Sequence, residues 1–107
     1  MSLDIAFTVY QLVPLVELNI THNLAPMAKA LGIYTYLWHP EKKNLVFAHE
    51  LTNIIDDAII EMKSNPDKYK TYDSANGWGV YDDFLNFLEK LRIASIQFPD
   101  SRIQISI

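Results

Sequence analysis

The chain has 107 residues, half of them hydrophobic, 21% charged and 12% aromatic, and its formal net charge is -4. That is the composition of one globular domain spanning 1–107, and it excludes an intrinsically disordered chain. The absence of cysteine excludes disulfides, thiolate metal sites and a cysteine nucleophile, while the Lys and Arg residues lie scattered among acidic ones and form no cationic stripe for nucleic acid.

Met1-Ser2-Leu3-Asp4 opens the chain without the basic and apolar regions of a signal peptide, and no apolar run approaches the roughly 18 residues of a membrane span. A cytoplasmic protein with neither a membrane nor a nucleic-acid partner is expected. From Leu3 to Tyr10, apolar Leu3, Ile5, Phe7 and Val9 alternate with their neighbours, which predicts a strand with one buried face. Pro14 offsets it from a second alternation, Leu15 to Ile20, with Val16, Leu18 and Ile20 on one side and Glu17 and Asn19 on the other. The two segments form either a hairpin or one bent strand.

Thr21-His22-Asn23 then supplies capping oxygens ahead of Leu24, Met27, Ala28 and Leu31, which recur at helical spacing before Gly32. A short helix over Leu24–Leu31 follows, with a further helical turn over Ile33–Trp38 closed by His39-Pro40. Glu41 to Asn44 reads as a polar loop. Leu51, Ile54, Ile55, Ala58, Ile59 and Met62 form one apolar helical stripe, ended by Asn65-Pro66-Asp67. Pro66 to Tyr72 is a turn or short helix, and Asp73 to Gly79 a polar loop. A second stripe follows, Phe84, Phe87, Leu88, Leu91, Ala94 and Phe98, with Asp82 and Asp83 at its dipole-favoured start and Pro99 at its end. Arg102 to Ile107 alternates strictly and predicts a buried strand paired with an N-terminal one. The fold class is therefore α+β: a small, mainly antiparallel sheet packed on one face by two long helices and one or two short ones.

Chemistry-bearing motifs are sparse. No two of His22, His39 and His49 stand three or four residues apart, so no metal site is predicted. Adjacent carboxylates such as Asp56-Asp57 and Asp82-Asp83 diverge by about 100° on a helix, and the serines lack a nucleophile-elbow context. No phosphate-binding glycine pattern occurs, and no cofactor or catalytic residue is assigned. The remaining signals are His22, set among capping residues whose backbone amides suit an anion, and the aromatic residues near loops. Two of the three glycines flank a tryptophan in Asn76-Gly77-Trp78-Gly79. Tyr and Trp combine apolar area with a polar tip and are enriched at contact surfaces. Trp78 reads as a lid over the core and Trp38 as the tryptophan that meets something outside.

The segments Asn19-Ile20-Thr21-His22-Asn23-Leu24, Met27-Ala28, Gly32-Ile33-Tyr34, Leu37-Trp38 with Pro40, Asn76-Gly77-Trp78-Gly79 with Tyr81, and Phe98-Pro99-Asp100 resemble those of a family of small uncharacterised proteins of bacteria and their phages. The resemblance covers about Asn19 to the C-terminus, and residues before Leu18 depart from the pattern. It brings no activity with it. It implies that Thr21-His22-Asn23 and the Asn76–Gly79 loop form one surface, with Thr21, His22, Asn23, Trp38, Asn76, Trp78 and Tyr81 as candidate binding residues. The expected function is a non-catalytic binding or assembly module that takes a protein partner or a second copy of itself. Two alternatives remain: a small enzyme or small-ligand protein using His22 as acid, base or anion contact with Asn23 and Asn76 as donors, and a phage-derived regulator of a host protein.

Overall fold

The computed structural model describes residues 1–9 and 13–107, with the backbone alone for residues 13 and 14. Three strands, β1 (Ser2–Val9), β2 (Val13–Thr21) and β3 (Arg102–Ser106), form an antiparallel sheet in the order β2-β1-β3. The two N-terminal alternations are therefore a hairpin. Tyr10, the expected end of the first strand, lies outside the described residues. Leu3 pairs with Ile20, Ile5 with Leu18 and Phe7 with Val16, while Ile105 and Ile103 pair with Ile5 and Phe7 on the other side. In antiparallel pairs directly opposite residues share a face, so these eight side chains form the core side of the sheet. A register shift at Phe7/Thr8, opposite Val16 and Pro14, bends the hairpin near Pro14.

The predicted helices appear as α1 (Ala25–Ala30), α2 (Tyr34–Trp38), α3 (Thr52–Ser64), α4 (Pro66–Lys70) and α5 (Tyr81–Gln97). Thr21 accepts the Asn23 N–H at 3.2 Å as a 3-10 turn, His22–Leu24, leads into α1. Gly32 follows at φ +76°, the left-handed conformation that stops a helix at no steric cost. The segment expected as a loop after Pro40 is a 3-10 turn, Pro40–Lys43, closed by Asn44 at φ +59°. A third 3-10 turn, Ala48–Leu51, extends α3 backwards. There the Glu50 carboxylate accepts the N–H groups of Phe47 at 2.8 Å and Val46 at 3.0 Å, and these bonds hold its pKa below the usual carboxylate value.

Both long stripes face inward as predicted. Ile55, Ala58, Ile59 and Met62 of α3 and Phe84, Phe87, Leu88, Leu91 and Ala94 of α5 are buried in one cluster with Leu3, Ile5 and Phe7. Inside the helix pair, Thr52 Oγ1 and Ser95 Oγ lie 2.8 Å apart. Two ion pairs, Lys63–Glu89 and Asp56–Arg92, flank it at the surface, where each is worth roughly 0–1 kcal/mol. One expectation needs correction. The C-terminal strand is not fully buried, because it is an edge strand: Ile103 and Ile105 are half-buried and Ile107 is exposed. Its outer edge is nevertheless covered, since Ile103 N–H donates to Val46 O at 2.8 Å and Ala48 N–H donates to Ser101 O at 2.9 Å.

Candidate functional site

Two corners of the chain meet at one end of the helical layer. The first is the turn from β2 into α1, Thr21-His22-Asn23; the second is the loop from α4 into α5. Asn23 Nδ2 donates to Trp78 O at 2.9 Å, joining residues 55 positions apart. Gly79 is buried against the same turn. A Cβ on it would lie 2.8 Å from Thr21 Cγ2 and 3.2 Å from both Asn23 Cβ and Leu24 Cγ, and its φ is +102°. Only glycine meets both demands, so the close approach of the two corners is a property of that residue. The turn after β2 and the Asn76–Gly79 loop are thus in direct contact.

The loop is held by its own polar atoms. Ser74 N–H donates to Gly79 O at 3.0 Å, Gly77 N–H to Ser74 O at 3.1 Å and Trp78 N–H to Asn76 Oδ1 at 2.9 Å. Ser74 Oγ also donates to Asn76 Oδ1. At the start of α5, Tyr81 N–H donates to Asp73 Oδ1 at 2.6 Å and Val80 N–H to Asp83 Oδ2 at 3.1 Å, which satisfies amides that a helix leaves unpaired. Gly77 takes φ +79° with nothing near its missing Cβ. The two left-handed glycines turn the backbone so that Gly79 faces inward and the intervening indole faces water.

Trp78 is accordingly 74% exposed and Trp38 is 1% exposed, which reverses the roles expected of the two tryptophans. Trp38 packs inside because it lies one helical turn after Tyr34, and the rings stack with centroids 4.9 Å apart at 18°. The half-buried His22 ring meets its edge at 6.1 Å and 78°. His22 Nε2 and Trp38 Nε1 are both buried without a hydrogen-bond partner among the described residues. Tyr81 also departs from the expected binding set. Its ring lies in the core, its hydroxyl donates to Met62 O at 2.7 Å, and burial raises its pKa. Of the seven candidates, Thr21, Asn23, Asn76 and Trp78 are brought together, His22 lies just behind them, and Trp38 and Tyr81 are core.

A groove of about 300 Å³ runs from the foot of this surface between β2 and α5. Leu18, Asn19, Ile20 and Thr21 form one wall, Leu24 closes an end, and Asp83, Asn86, Phe87 and Lys90 form the other wall. His22, Trp38 and Trp78 are not among its walls. Asp73 and Ser74, and Asn86 and Lys90 of the groove, escape a reading by motif. The spacing of positions 83, 86, 87 and 90, which puts them on one flank of α5, was the available signal. Among the described residues no group of three His, Asp or Glu side chains is placed to hold a metal ion, and no helix is long and apolar enough to cross a membrane. No family model, curated protein or solved structure matches this chain.

Proposed function

We propose that the protein is a cytoplasmic, non-catalytic binding or assembly module, and that Trp78 on its loop, backed by Thr21, Asn23 and Asn76, is the contact surface. The observation that carries this is a tryptophan left 74% exposed by a loop whose backbone is hydrogen-bonded from Asp73 to Val80. Covering on the order of 150 Å² of indole on a partner is worth about 3–4 kcal/mol. A hydrogen-bonded loop presents that area already oriented, so less ordering entropy opposes binding than on a floppy segment. The resemblance to the small bacterial and phage proteins falls on the same two corners.

The enzymatic alternative needs Asn23 and Asn76 as donors to a substrate. Asn23 Nδ2 gives one N–H to Trp78 O, and the Asn76 side chain is fixed through Oδ1, which accepts from the Trp78 N–H and the Ser74 hydroxyl. Both side chains position the loop, which favours the binding reading. To test it, Trp78 is replaced in cells by a photo-crosslinking phenylalanine analogue. A discrete adduct, with a second copy or another protein, that weakens when Asn23→Ala loosens the loop supports the proposal. No adduct above that of a crosslinker placed at exposed Lys42 overturns it.

A further inference from the structure

The two edges of the sheet differ. The outer edge of β3 is bonded to the segment around Val46–Ala48, whereas among the described residues β2 has no neighbouring strand on its outer side. Which of its backbone groups point outward follows from the register. His22 N–H donates to Met1 O at 3.3 Å, so in the alternation of an antiparallel ladder Leu3/Ile20, Ile5/Leu18 and Phe7/Val16 exchange hydrogen bonds. The opposite side of the sheet agrees. The outward Ile103 N–H assigns Arg102, Gln104 and Ser106 to bonds with Thr8, Ala6 and Asp4, leaving Leu3, Ile5 and Phe7 to face β2. Glu17, Asn19 and Thr21 therefore direct their backbone amides away from the sheet, and none of these N–H groups has a partner among the described residues. The register shift and Pro14 blunt the earlier part of β2.

From this edge we infer that β2 pairs with β2 of a second copy across a two-fold axis at Asn19, joining two three-stranded sheets into one of six. Three observations select that occupant and that register. Pairing about Asn19 sets Asn19 against its own copy and Glu17 against Thr21, the one register that uses all three outward residues, and it opposes no like charges. The strand from Glu17 to Thr21 spans about 13 Å and α5 from Asp83 to Lys90 about 10 Å, so the groove walls run alongside the paired segment. Gly79 packs on Thr21 and Leu24, which puts the nearby Asp83 at the Thr21 end of the groove and Lys90 at the other. The same two-fold then sets Asp83 of each copy against Lys90 of the other, two side chains without an ion-pair partner of their own among the described residues.

This inference rests on the assembly reading of the protein but uses a different face from Trp78. Sedimentation velocity and light scattering of the whole chain at up to sub-millimolar concentration test it. The wild type is expected at twice the chain mass. Asn19→Pro removes an N–H that the single chain does not use for its own sheet, so it should stay folded by circular dichroism and become monomeric. Lys90→Asp should weaken the dimer at least tenfold, and Lys90→Asp with Asp83→Lys should bring it back; if Asn19→Pro fails to fold, this pair decides. A monomeric wild type, or a dimer indifferent to these changes, overturns the inference. A dimer lost on Trp78→Ala but kept in Asn19→Pro also overturns it, and places self-association on the aromatic loop.

Discussion

Replacing Gly79 by alanine tests whether one close approach holds the two corners together. The cost has two parts. A φ of +102° lies in the region closed to ordinary L-residues, worth about 1–2 kcal/mol, and the new methyl enters a space bounded at 2.8 Å by Thr21 Cγ2 and at 3.2 Å by Asn23 Cβ and Leu24 Cγ. Such overpacking costs about 1–3 kcal/mol, and the reduced freedom of the unfolded chain returns about 0.4–1 kcal/mol. The net expectation is a loss of about 3 kcal/mol. Gly77→Ala is the internal control, because it carries the positive φ of +79° without any neighbour within 4 Å, and it should cost about 1 kcal/mol. Urea titration followed by circular dichroism reads both. With a slope of about 1–1.5 kcal/mol per molar for a domain of this size, Gly79→Ala should move the midpoint down by about 2 M and Gly77→Ala by less than half of that. Equal shifts for the two variants would refute the claim that packing against Thr21 and Leu24, rather than backbone strain alone, distinguishes Gly79.

Trp78→Ala should change stability by no more than about 0.5 kcal/mol, as for exposed positions in general, whereas Asn23→Ala should cost about 0.5–1.5 kcal/mol through the lost bond to Trp78 O; thermal melts separate them. Burial, with the hydrogen bond and charge of Glu61, pushes the Tyr69 phenol up to about 12 from its ordinary value of 10.0. The folded state therefore keeps its proton where the unfolded chain releases it. The resulting stability is whole below the ordinary tyrosine range and is lost as pH rises toward about 12. Urea midpoints taken across the alkaline range should fall less steeply in Tyr69→Phe than in the wild type.

What the sequence made legible followed from periodicity. The alternations of β1, β2 and β3 and the stripes of α3 and α5 have a period that fixes which face is buried, and they fold as that period requires except at the end of β1, where beyond the register shift Thr8 is buried and Val9, expected on the buried face, is exposed. The tryptophans were illegible for the complementary reason. Whether an isolated aromatic is covered depends partly on what comes across from elsewhere: Tyr34 stacks on Trp38 from the same helical turn, but His22 reaches its edge from the corner after β2, and nothing local announces that contact. At Trp78 two glycines signalled an unusual backbone, but not that the second glycine, rather than the indole, would fill the space beside Thr21. The paired corners were legible only as a resemblance between motifs, and the groove along β2 and α5 depends on a strand order that no local pattern encodes.

That strand order also bears on how the chain reaches its fold. β1 is central, and its partners differ in sequence distance: β2 follows it almost directly, whereas β3 pairs with it from far along the chain, with Asp4 opposite Ser106. The hairpin can form locally and early, but two strands alone are marginal in water. Closing the second ladder brings together residues separated by nearly the whole chain, a step whose loop entropy is lost before its contacts are gained. The sheet is therefore finished only once β3 has been made, long after β1, and until then the β3-facing edge of β1 stays uncovered for other strands to find.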